Sequence, residues 1–237
     1  ERFPKIPKPN WRISYDGLSK LKFFQSFLQS LTLSHGYRSV YSINSFTQNL
    51  QYKGNNENHI GIDTVNNIIP KYDFQQISIA EQFSPLIGID LTFKNSLQMR
   101  FEYKRDRTVS LSYASIQVTE VRGEEYTVGA GYKFKRVKLP FVRVGPAKTR
   151  VVNDLNLKAD LGLRKNTTLI RKLVENANQP SSGSTSISVK VSLDYNISDR
   201  INLKLFADKL ITNPFVSTSF PTSTLTAGLT IRFTLAQ

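Results

Sequence analysis

The sequence predicts an all-β fold, the wall of a transmembrane antiparallel β-barrel, and three observations predict it. From Ile87 onward apolar and polar residues alternate strictly through windows 87–93, 97–103, 109–113, 126–134, 155–163, 187–197, 201–207 and 225–235. The windows 187–197 and 225–235 are each 11 residues long, against about 5–6 for a soluble strand and about 9–11 for one crossing a bilayer at a tilt. Aromatic residues gather near window ends, as interface girdles do. A helix repeats its apolar residues every three or four positions, so this pattern cannot sit on one.

The chain divides into an irregular start, residues 1–86, and regular β-hairpins over 87–237. Within the start, Gly17 to Leu28 has Leu18, Leu21, Phe24 and Leu28 at the spacing of a small amphipathic helix. Leu31 to Ile43 reads as a long strand, and 47–73 as a polar, Asn-rich loop. The first two windows place Ile87, Ile89, Leu91 and Phe93, then Leu97, Met99, Phe101 and Tyr103, on one face. Lys94-Asn95-Ser96 joins them in a tight hairpin. The window 126–134 has the opposite phase, with Tyr126, Val128, Ala130, Tyr132 and Phe134 apolar. After 155–163 the segment 164–186 reads as a long connection. It holds a helix-like run, Leu169 to Val174, and a flexible Pro180-Ser181-Ser182-Gly183-Ser184. Ser198-Asp199-Arg200 predicts a second tight turn before 201–207.

On the apolar face of these windows every position is apolar; on the other only Phe206 is. A soluble sandwich would turn the apolar face to a core, a barrel to lipid. In the barrel reading Phe93, Tyr103, Tyr113, Phe134, Tyr195 and Phe233 face lipid. Arg100, Glu102, Lys158, Asp160, Lys190, Asp194, Lys204 and Arg232 then face a wet lumen. Such residues either keep a conduit hydrated or bridge one another and stiffen the wall. Gly129 and Gly131 share that face, at a strand bend or a close neighbour.

Composition narrows the chemistry. The formal charge is +14 and mean hydropathy −0.30, yet the basic residues are scattered, densest from Lys133 to Arg150, and no nucleic-acid motif accompanies them. Nucleic acid is therefore not the expected partner. No stretch nears the ~18 apolar residues of a membrane helix. Cys is absent, which removes disulfides and zinc-thiolate sites. His35 and His59 lack paired ligand spacing, so no metal is expected. Gly145-Pro146-Ala147-Lys148-Thr149 has the tail of a phosphate loop without its first glycine. Glu124-Glu125, beside Arg122-Gly123, reads as a solvated turn, and Asn166-Thr167-Thr168 matches a glycosylation acceptor that carries little meaning here. No catalytic residue and no cofactor are expected. The opening Glu1 to Pro9 has no signal-peptide core, and reads as a mature form or a piece of a longer chain.

Three segments carry a resemblance: Ile6-Pro7-Lys8-Pro9-Asn10-Trp11-Arg12-Ile13-Ser14-Tyr15-Asp16-Gly17-Leu18, Leu31-Thr32-Leu33-Ser34-His35-Gly36-Tyr37-Arg38-Ser39, and Phe101-Glu102-Tyr103-Lys104-Arg105-Asp106-Arg107. With the closing Thr230-Ile231-Arg232-Phe233-Thr234-Leu235 they make the whole chain similar to the C-terminal region of the SprA (Sov) family. These are the outer-membrane translocons of type IX secretion in Bacteroidetes, some of them tied to gliding motility. The resemblance implies a C-terminal arc of a very large barrel that passes folded cargo without catalysis. It also implies partners: the rest of the barrel, a PorV-type barrel at a lateral opening, a periplasmic plug protein, cargo with a C-terminal sorting domain, and outer-membrane lipid. A stand-alone small barrel, porin-like or an adhesin, is the alternative.

Overall fold

The computed structural model describes residues 9–52, 61–62, 68–144, 149–198, 201–216 and 219–234, with the side chains of 61–62, 139–144 and 149–151 left aside. Its strands are β1 (Trp11–Tyr15), β2 (Leu28–Gln48), β3 (Gly61–Ile62), β4 (Ile68–Ile69), β5 (Tyr72–Phe93), β6 (Leu97–Ser112), β7 (Gln117–Val144), β8 (Thr149–Lys172), β9 (Ala177–Ser198), β10 (Ile201–Val216) and β11 (Thr222–Phe233). Nine form one antiparallel sheet in the order β1-β2-β5-β6-β7-β8-β9-β10-β11, and β3 pairs only with β4. Sequence neighbours are spatial neighbours throughout, so the sheet is a simple meander. Among the described residues it is not closed: β11 has no partner on its outer side, and β1 covers β2 only from Leu33 to Tyr37.

The strands are far longer than the alternating windows. β7 has 28 residues and β8 has 24. The run Leu169–Val174 is therefore not helical: β8 continues to Lys172, and Glu120 lies opposite Leu169. Six residues cannot sustain the costly helix nucleus, whereas β7 already offers a ladder to pair with. Pro180 to Ser184 lies within β9, Leu169 pairing with Pro180 across a register shift that accommodates the proline. Glu124 and Glu125 sit inside β7, opposite Arg105 and Lys104, rather than in a turn. The amphipathic helix expected over 17–28 is reduced to a 3-10 turn, Gly17–Lys20, and one α-helical turn, α1 (Lys22–Gln25). β2 already begins at Leu28 and pairs with Phe93. Of the Asn-rich segment 47–73, residues 53–60 and 63–67 lie outside the described residues, as do His59 and Gly145 to Lys148.

The hairpins are turned by residues at positive φ: Ser96 (72°) after β5, Ile116 (46°) after β6 and Asn176 (48°) after β8. This is the left-handed residue that three- and four-residue hairpin loops need. The sheet has two distinct ends. At the short-turn end lies Lys94–Ser96, with the pair Ser198 and Ile201, the expected turn residues Asp199 and Arg200 lying outside the described residues; at the other stand the long hairpins turning at 113–116 and 173–176.

The sheet is also a single layer. Accessible surface is 17225 Å², whereas a compact protein of 26.9 kDa exposes about 11,000 Å². The buried apolar residues are few: Leu28, Leu31, Tyr37, Tyr103 and Tyr195. Among the described residues no second layer covers the apolar face.

Candidate functional site: two faces and their borders

The register aligns the alternating windows into one continuous apolar face. Its central row runs Leu31, Leu91, Met99, Ala130, Ala159, Val191, Ala207 and Ala227 across eight strands. The change of phase at window 126–134 is needed for this, because Met99 stands opposite Ala130. Along β9 the belt runs from Ile187 to Ile197, ten steps of about 3.3 Å, or about 25 Å of height at the usual strand tilt.

Aromatic rings border the belt. At the short-turn end Phe27 lies 6.2 Å from Phe93 between ring centres, and Tyr132 meets Phe134 edge-on at 4.6 Å. Phe233 lies opposite Ile201 at the same level. At the other border Tyr103 stacks on Tyr126 at 4.5 Å, and Tyr37 packs between Trp11 (4.7 Å) and Phe83 (5.0 Å). His35 joins this cluster 5.8 Å from Phe83, its Nδ1 2.7 Å from the Leu86 carbonyl oxygen. Tyr103 and Tyr195 are nearly buried. The Tyr195 hydroxyl donates to the Val137 carbonyl at 3.1 Å, so its ring is roofed by β7 instead of lying open. Tyr113 stands apart at the tip of the β6–β7 hairpin, about 33 Å along the strand from Tyr103.

Immediately beyond Tyr103 and Tyr126 the same face turns ionic. Arg105 pairs with Glu124 (3.2 Å); Arg107 and Arg122 both hold Glu120, at 2.6 and 2.9 Å. Glu81, 5% exposed, accepts from the Tyr37 hydroxyl at 2.8 Å and lies 3.9 Å from Arg107. Burial works against ionisation of Glu120, but hydrogen bonds from Arg122 and Arg107 together hold its carboxyl below the ordinary range. The sequence windows stopped short of this band. Its signal is nevertheless there, because Arg105 and Arg107 keep the phase of Leu97 to Tyr103.

All eight expected polar residues fall on the opposite face. Asp90, Arg100, Gly129, Asp160, Lys190 and Asp208 stand in one row, with Arg100 3.0 Å from Asp90. A Cβ on Gly129 would run into the Asp160 carboxylate, so the glycine is what lets the charge row cross β7. Gly131 meets nothing closer than 3.7 Å. Glu102 binds Lys104 at 2.7 Å, and Arg164 reaches Glu125 at 2.8 Å and Asp106 at 3.2 Å. Asp194 lies opposite Lys204, and Arg232 opposite Asn202. Lys158, Lys190 and Lys204 gather around Asp160, Asp208 and the Phe206 ring, which lies against Gly228. Ion pairs thus knit β5 to β8, while β8 to β10 present a looser, lysine-rich surface.

The described residues hold no cluster of His, Asp and Glu fit for a metal ion, and no helix among them is long and apolar enough to cross a membrane. No family model matches the chain, and no curated protein is significantly similar to it.

Proposed function

We propose that the chain is an arc of the wall of a very large outer-membrane β-barrel, through which folded proteins pass. The observation that carries this reading is the single-layer sheet with an apolar belt on one face and open edges at β1–β2 and β11. A belt of about 25 Å matches the lipid-facing band of such barrels, and unpaired strand edges cannot face hydrocarbon. Further strands therefore continue the sheet beyond β11 and beside β2. About eight strands closed on themselves leave an interior that side chains nearly fill. Nine could not pass a folded protein, so transport requires the larger circle. The resemblance to the SprA family supports the same circle and supplies the cargo class.

In this reading the polar face lines the conduit and the ionic band of Glu81, Arg105, Arg107, Glu120, Arg122 and Glu124 stands outside the hydrocarbon. Short turns face the periplasm and long hairpins the exterior, as in bacterial barrels. A PorV-type barrel, a periplasmic plug and cargo bearing a C-terminal sorting domain are the partners, and the wall itself performs no catalysis.

The test is the length of the encoding reading frame together with secretion in cells. We expect a frame several times longer than 237 residues, and reduced cargo export when Lys158→Glu and Lys190→Glu are combined. A frame starting near Glu1 overturns the arc in favour of a stand-alone small barrel. Unchanged export overturns the conduit role of those lysines.

A further inference from the structure

We infer that Lys165 and Lys209, with Thr185 and Asn213 between them, hold a phosphate of a phosphorylated glycolipid in the outer leaflet. The inference rests on the membrane reading above. It starts from a charge inside the apolar belt. The row that runs from Leu33 through Phe101, Leu161 and Val189 to Leu225 is apolar on every strand except β10, where it holds Lys209. Lys209 is exposed, and along its own strand it stands between Ala207 and Ile211. Hydrocarbon is a costly place for an ionisable side chain, which therefore marks a site with a partner.

The border of the belt is close. Ile211, opposite Ile187, lies two residues on, about 7 Å along the strand and about 5 Å in depth at the usual tilt. A lysine stem snorkels over that span and brings its ammonium to the border. Just beyond it, on the same face, Lys165, Thr185 and Asn213 stand in one row on β8, β9 and β10. The Lys165 Nζ lies 5.4 Å from the centre of the Phe215 ring, a contact that positions the amine without neutralising it.

No acid of this face answers the two lysines. Asp154, Asp160, Asp194 and Asp208, the aspartates of β8 to β10, all stand on the polar face. Glu124 is opposite Lys165 but already pairs with Arg105 at 3.2 Å. Among the described residues neither lysine has an ion pair, and the side chains of Thr185 and Asn213 make no hydrogen bond. Two ammonium groups, a hydroxyl and an amide thus offer donors to one anion, and phosphate oxygens take such charge-assisted bonds. Lys209 approaches the border from the hydrocarbon side, where the anion within its reach is a lipid headgroup. The site lies toward the long hairpins, which face the exterior, so that lipid belongs to the outer leaflet.

The experiment places the full-length protein in vesicles containing lipid A or the same lipid freed of its phosphates. Acylation of each lysine by an amine-reactive reagent is followed by mass spectrometry. We expect lipid A to slow acylation of Lys165 and of Lys209 about fivefold, and to leave Lys190, on the polar face, at the same rate in both vesicles. The Thr185→Val/Asn213→Ala variant, which alters no charge, should lose most of that protection. Equal acylation of both lysines in the two vesicles, with Leu205 and Leu229 of the belt labelled by a lipid-soluble carbene, overturns this inference and leaves the membrane reading intact. Belt leucines left unlabelled overturn both. Protection that survives in the Thr185→Val/Asn213→Ala variant belongs to the surface potential of the membrane, and protection in both vesicles belongs to a carboxylate of another chain. Either result overturns the phosphate site.

Discussion

Val191→Arg measures whether the apolar belt faces lipid, and its cost follows from its place in the sheet. Val191 lies in the central row between Ala159 and Ala207, so a longer side chain meets small neighbours and steric strain is not the main term. An arginine at the middle of a lipid-facing belt costs about 2–4 kcal/mol, falling to about 0–1 near the border. Ile187 is four residues away, about 13 Å along the strand and about 10 Å in depth at the usual tilt. It stands in the row of Tyr103 and Tyr126, at the border. Ile187→Arg should therefore lose only about 0–1 kcal/mol. Ser192→Glu puts a charge one residue along, on the polar face opposite Lys158, and should change stability by less than about 0.5 kcal/mol. Urea unfolding of the full-length protein in vesicles, read by heat-modifiable gel mobility, gives all three values. Equal losses at Ile187 and Val191 would refute the lipid-facing belt, since a protein core has no such depth profile.

Three further outcomes are expected. Gly131→Ala, with 3.7 Å to its nearest neighbours, should raise stability by about 0.5 kcal/mol in the same unfolding assay, whereas Gly129→Ala must first turn aside the exposed Asp160 carboxylate and should gain less than Gly131→Ala. Ile116 holds a positive φ in a branched residue while half exposed, so Ile116→Asn should raise stability by about 1 kcal/mol. Glu120 is held below its ordinary value of 4.5 in the folded state. Its contribution is present above that value and is lost as pH falls through the lower, folded one. Stability measured from pH 6 to pH 3 should therefore drop less steeply in Glu120→Gln than in the parent protein.

Much of the architecture was legible in alternation alone. Period two declares strands wherever one face is sustained, and it assigned Arg100, Lys158, Lys190 and Arg232 to one side of the sheet before any register was known. It failed where strands leave the two-faced regime. Residues 164–186 carry mixed polar and apolar positions on both faces, so neither period is sustained, and the β8–β9 hairpin formed there depends on pairing with β7. Glu124 and Glu125 resembled a turn because glycine and charge sit together, but Gly123 lies beneath the Asp106 carboxylate and both glutamates bind arginines of neighbouring strands.

By itself, the sequence determined the central part of each strand from β5 to β11 and which face its side chains take there, because side-chain direction in a strand is local. Only the tertiary structure decided what stands beside what: the row from Leu31 to Ala227, the ionic band above Tyr103 and Tyr126, the ring of Tyr195 beneath β7, and the open edge of β11. Those depend on register and bulges, which are set between strands far apart in the chain, and no local pattern encodes them.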